Sequence, residues 1–160
     1  MATFAKSWRD SSVSDTDGQW DYLKGNACHE AGHAIVGWAL GLHVDSIRIR
    51  DDRSGENAMI SSADGLPLVD QVALNNAGRQ AEEVFGRLLP PWASDCDRMR
   101  TINLLLANEI REIPEMEKWI DDGQLLIGHI REVHALAARL MECRRMACHD
   151  FKRFMENAAR

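Results

Sequence analysis

The sequence predicts a mainly α-helical domain with a small β-hairpin or sheet set after its first helix. Three observations carry that expectation. Apolar residues recur at i, i+3, i+4 over three long stretches, one short stretch after residue 43 alternates instead, and Gly or Pro separates these segments. The chain has 160 residues, enough for one domain that closes a core without disulfides or repeats.

Residues 1–18 are polar, with the run Ser11-Ser12-Val13-Ser14-Asp15-Thr16-Asp17-Gly18 and no sustained period, and read as a flexible N-terminal arm. Thr16 and Gln19 have capping-box spacing, and Leu23, Ala27, Ala31, Ala34, Ile35, Trp38 and Leu42 then form one apolar stripe. This predicts a first helix over 19–41 that stops near Gly41. In residues 44–50, Ile47 and Ile49 share one face. A turn over Asp51-Asp52-Arg53-Ser54-Gly55 leads to Asn57-Ala58-Met59-Ile60, so a hairpin is expected. Pro67 suits the first position of a second helix over 67–88, which Pro90-Pro91 would end. Ser94 or Asp95 is placed to cap a third helix over 95–111, and a short fourth segment runs from Pro114 to Asp122 before a break at Gly123. From Leu125 the stripe Leu126, Ile130, Val133, Ala137, Leu140 drifts onto Met141, Cys148, Phe151 and Met155. One long amphipathic helix is expected, packed on the core, or else serving a partner or a second copy in a homo-oligomer.

The balance of 19 basic to 25 acidic residues gives a net charge of −6, so no positive field gathers phosphates and a nucleic-acid partner is not expected. No signal-peptide core and no membrane span is evident, which points to a cytoplasmic protein. Cys28, Cys96, Cys143 and Cys148 have no C-x-x-C spacing and are expected as reduced thiols.

His29-Glu30-Ala31-Gly32-His33 is an H-E-x-x-H sequence inside the first helix. Histidines at i and i+4 project from one face and can share a Zn²⁺ at ~2.0–2.1 Å, while the intervening Glu30 can hold a water. With 6 His and 11 Glu in the chain, chance yields roughly 0.015 such matches per sequence of this composition. A catalytic zinc site takes a third protein ligand and leaves a position open. The residues after His33 lack the longer H-E-x-x-H-x-x-G-x-x-H pattern, so the third ligand must come from elsewhere: Glu82, Glu83, Asp95, Cys96 or Asp97. Glu82 flanks the apolar stripe of the second helix, where its carboxylate is positioned to accept the free N–H of a ligand histidine; Glu83 lies further round toward solvent. Cys28 and Cys96 each neighbour a proposed ligand, an arrangement that would allow thiol-dependent inhibition.

Three segments in order, His29-Glu30-Ala31-Gly32-His33-Ala34, then Gly78-Arg79-Gln80-Ala81-Glu82-Glu83-Val84-Phe85-Gly86, then Ala93-Ser94-Asp95-Cys96-Asp97-Arg98, resemble the signatures of the peptidase domain of FtsH-type zinc proteases. In that family they read H-E-A-G-H-A, G-G-R-x-A-E-E-x-x-F-G and A-S-N-D-L-x-x-A. The resemblance covers roughly residues 20–110. It implies an H-E-x-x-H zinc-peptidase domain over 19–160 that holds one Zn²⁺ through His29, His33 and the Asp of the last motif, with Glu30 as general base. That last motif departs here. With one position deleted, Asp95 aligns with the third ligand, and Asp97 is the alternative. Asn57, Ala58, Met59 and Ile60 correspond to the family's substrate-binding strand.

The activity so implied is hydrolysis of peptide bonds in flexible or unfolded polypeptides by a zinc-activated water. The family also carries a membrane anchor and an ATPase. No G-x-x-x-x-G-K-[ST] loop or membrane span occurs in this sequence, so a free-standing peptidase domain is expected, with unfolding left to a separate ATPase or adaptor. The competing reading is a catalytically degenerate zinc-binding domain that regulates or binds targets. Glu30 argues against it, because a structural zinc site has no use for a carboxylate at its open position.

Overall fold

The computed structural model describes residues 17–50, 57–86, 89–122 and 126–158. Helix α1 (Asp17–Ala39) is followed by strands β1 (Val44–Arg48) and β2 (Asn57–Ile60), then helices α2 (Leu68–Phe85), α3 (Pro91–Ala107) and α4 (Ile113–Asp122). A 3₁₀ turn (Leu126–His129) leads into α5 (Ile130–Cys143), strand β3 (Arg145–Ala147) and α6 (Cys148–Ala158). The fold is mainly helical with a small antiparallel sheet, as the periodicities predict.

Helix α1 is the central element and packs against α2, α5, β1 and β2. Its middle is therefore apolar or buried on nearly every face: Ala27, Ala31, Ala34, Ile35 and Val36 are all in the core. Gly32 lets α2 come close, since a Cβ there would lie 2.5 Å from the Ala77 carbonyl oxygen and 2.9 Å from Ala81 Cβ. Trp38 meets Phe151 of α6 edge to face at 5.6 Å between ring centroids, tying the end of α1 to the C-terminal helix. A second, smaller cluster of Val72, Leu105 and Ile110, covered by Trp119 and Ile120, anchors α3 and α4 on α2.

The sheet has the order β2-β1-β3, both pairs antiparallel. Ile47 and Ile49 are buried together as their alternation requires, and an irregularity between Val44 and Ser46 brings Val44 onto the buried side as well. Among the described residues, one edge of β2 has no strand partner.

Four expectations change. The supposed long C-terminal helix is broken: Arg144 adopts φ 60°, caps α5, and leads into β3, which pairs with β1. The drift of the apolar stripe was the trace of that break. Helix α3 begins at Pro91 in its first turn rather than at Ser94 or Asp95, which puts both acidic residues inside the helix. Helix α2 ends at Phe85, capped by Gly86 at φ 61°, before Pro90-Pro91 could stop it. Asp17 and Gly18, assigned to the arm, belong to α1. The rest of the arm, the turn over 51–55 and the break at Gly123 lie outside the described residues.

Candidate metal centre

His29 and His33 lie one turn apart on α1, and acceptors on α2 fix which ring nitrogen each presents. His29 Nδ1–H donates to Glu82 Oε1 at 2.7 Å, and His33 Nδ1–H donates to the Leu74 carbonyl oxygen at 2.9 Å. Both acceptors come from α2. With the protons held on Nδ1, each Nε2 is left as a lone pair. The two Nε2 atoms are 3.1 Å apart, and Asp97 Oδ2 lies 3.1 Å from that of His29 and 3.2 Å from that of His33. Three acceptors thus converge on one point, which is electrostatically untenable unless a cation or a proton sits among them.

Their ligand atoms all fall within 4.8 Å of one another, the only such cluster among the described residues. Two imidazoles and a carboxylate are the donor set of catalytic zinc sites. Each histidine is also oriented by an outer acceptor, as metal-bound histidines are. The residues therefore fit a divalent metal.

The supporting shell is built tightly. Glu82 is fully buried, and its Oε2 accepts from the Leu89 backbone N–H at 2.8 Å and from Arg79 Nη1 at 3.3 Å. Asp97 Oδ1 accepts from Arg100 Nη1 at 3.1 Å. Gly78 of α2 lies directly against His29: a Cβ there would be 2.5 Å from the ring's Cε1. No larger residue leaves the imidazole where it is.

These contacts set the charges. Burial disfavours a charged His29, but hydrogen bonds to Asp97 and Glu82 outweigh it and raise its pKa from 6.5 to about 10. Burial would raise Asp97, yet the His29 and His33 rings packed against it hold it well below the ordinary carboxylate range. When no metal is bound, a proton on His29 occupies the convergence point.

Glu30 projects from α1 beside this cluster and is 4% exposed. Its Oε2 accepts the backbone N–H of Ala58, on the unpaired edge of β2, at 2.6 Å. Burial is the main cause of its raised pKa, against the lowering influence of His33 and His29. A groove of about 950 Å³ opens over the cluster, with Ala58, Ile60 and Ser61 on one wall and Cys96, Asp97 and Arg100 on another.

The structure brings together His29, Glu30, His33 and Glu82. Ala58 and Ile60 line the groove and, with Asn57 and Met59, form β2. Asp95 does not join them. It is exposed on α3, because two residues along a helix turn a side chain through ~200°, and only Asp97 faces α1. Cys96 is exposed at the groove's rim, Cys28 is buried in the core, and Glu83 is exposed in an ion pair with Arg79 at 3.0 Å. Sequence reasoning missed the Leu74 carbonyl, which no side chain signals, and Arg100, whose i+3 spacing from Asp97 was the available clue.

Residues 23–86 match a family described as Peptidase M50B-like. That is a metallopeptidase family. The matched segment carries His29, Glu30 and His33 and extends through β1, β2 and α2 to Glu82 and its cap; Asp97 lies beyond it. The match does not single out the FtsH type. No curated protein matches the chain. No described helix is long and apolar enough to cross a membrane.

Proposed function

We propose that this protein is a zinc-dependent metalloendopeptidase, related in its motifs to the FtsH type, that cleaves flexible or unfolded polypeptides. The observation that carries the reading is the convergence of His29 Nε2, His33 Nε2 and Asp97 Oδ2 beside a buried glutamate.

His29, His33 and Asp97 would hold one Zn²⁺, which when bound supplies a Lewis acid for the scissile carbonyl and makes a nucleophile available near neutral pH. Glu30 takes the proton of the attacking water and returns it to the leaving amine. Burial raises its pKa above the ordinary carboxylate value, which strengthens it as a proton acceptor. The Ala58 N–H fixes Oε2 and leaves the other oxygen for proton transfer. Glu82 and the Leu74 carbonyl keep both histidines in the tautomer that presents Nε2. The substrate lies extended along the free edge of β2, where main-chain pairing gives affinity with little sequence preference. Folded targets would be opened by an ATPase or adaptor that acts with this domain.

The test is to assay purified protein for bound zinc by mass spectrometry and for cleavage of unfolded casein, beside Glu30→Gln. Expected are about one zinc per chain in both proteins and cleavage by the wild type alone. Zinc without any cleavage would instead assign the chain to the class of non-catalytic zinc-binding regulators.

A further inference from the structure

The groove side of α1 is formed by Tyr22, Asn26, His29, Glu30 and His33, a continuous stripe along the helix. The proposed chemistry employs His29, Glu30 and His33. Asn26 stands out among the rest. It is 5% exposed, lines the groove, and its side chain makes no hydrogen bond with any described residue. Nor is it one of the unpaired polar side chains sealed from solvent, so its carboxamide opens into the groove. Little of Asn26 is exposed, yet its amide reaches the groove with no partner among the described side chains, which leaves both its donors and its acceptor open to a ligand. Its place is explained by a ligand that completes its hydrogen bonds.

Asn26 precedes His29 by three residues and Glu30 by four, so it is the helical neighbour of both, ~5–6 Å away between Cβ atoms. Extended polypeptide advances ~3.3 Å per residue. That separation places Asn26 one or two residues from the bond above the metal cluster. A carboxamide offers a donor and an acceptor side by side, the complement of a peptide group. The opposite wall is the β2 edge, where the Ala58 N–H is already engaged by Glu30, so a second main-chain anchor on α1 would set the substrate's register.

Resting on the peptidase reading above, we propose that Asn26 binds the main chain of the extended substrate, pairing with a peptide group next to the bond that is cleaved.

The experiment measures binding of fluorescein-labelled unfolded casein by fluorescence anisotropy to zinc-loaded Glu30→Gln protein, with and without Asn26→Ala or Asn26→Leu. Zinc content and casein cleavage are followed in the corresponding proteins that retain Glu30. Each Asn26 substitution is expected to weaken binding about tenfold and to raise KM, with zinc content unchanged. If the wild type cleaves casein and both variants bind it as tightly as their parent, the role of Asn26 is refuted and the peptidase reading stands. Loss of zinc together with binding would equally refute it, by showing a structural role. If the wild type neither cleaves casein nor, as Glu30→Gln, binds it, both proposals fall.

Discussion

Glu82 Oε1 accepts the Nδ1 proton of His29 at 2.7 Å, from a carboxylate with no solvent exposure. This contact links α1 to α2 and decides which nitrogen of His29 faces the groove. Removing it frees the ring and leaves the Leu89 N–H without its acceptor. Glu82→Ala is expected to lower zinc affinity ~10–100-fold, read by competition against a fluorescent zinc chelator. Glu82→Gln should fall between the two, because its amide oxygen can still accept from Nδ1.

Gly78→Ala tests the room that Glu82's helix leaves for the ring. The added methyl would lie 2.5 Å from His29 Cε1, so the imidazole must move. Overpacking of this kind costs ~1–3 kcal/mol, expected as a lower urea midpoint at unchanged slope, with zinc occupancy reduced in the same protein. A substitution to alanine at the exposed Gly65, which meets nothing within 4 Å, should leave zinc occupancy unchanged.

Asp97 and Asp95 separate the geometric assignment from the motif alignment. Asp97→Ala removes an oxygen within 3.2 Å of both histidines and is expected to strip most of the zinc during dialysis. Asp95→Ala, on the exposed side of α3, should retain it. Metal analysis of the two variants checks both outcomes.

The pKa of His29 gives a proton-linked signature. Its value of about 10 in the metal-free protein means that the ring is charged at pH 8, whereas a metal requires it neutral. Zinc binding at pH 8 should therefore release about one proton from this residue, measured by calorimetry in buffers of different ionisation enthalpy. The stability of the metal-free protein follows the same sign. A raised pKa stabilises fully below the unfolded value near 6.5, and that contribution disappears as pH climbs through about 10.

Much of the site was legible in the residues themselves because helical periodicity is local. Two histidines four apart must share a face, and Glu82 sits where the stripe of α2 turns toward α1. The choice between Asp95 and Asp97 was not legible, since it depends on where α3 starts. Pro91 at the first turn, rather than a Ser94 or Asp95 cap, sets that register. The C-terminal half misled for a similar reason. Three residues of strand are too few to show alternation, and the left-handed turn falls on Arg144, a residue type that does not announce it. Gly78 gave no periodic signal either; only the ring lying against it explains its identity.

The central claim is that water is added across a peptide bond by Glu30 beside a metal held by His29, His33 and Asp97. The most direct measurement is mass spectrometry of unfolded casein incubated in H₂¹⁸O with zinc-loaded wild type and with zinc-loaded Glu30→Gln. New C-terminal carboxylates carrying ¹⁸O with the wild type, and no new termini with the variant, are the expected result. Intact casein in both reactions, or equal cleavage by the two proteins, would contradict it.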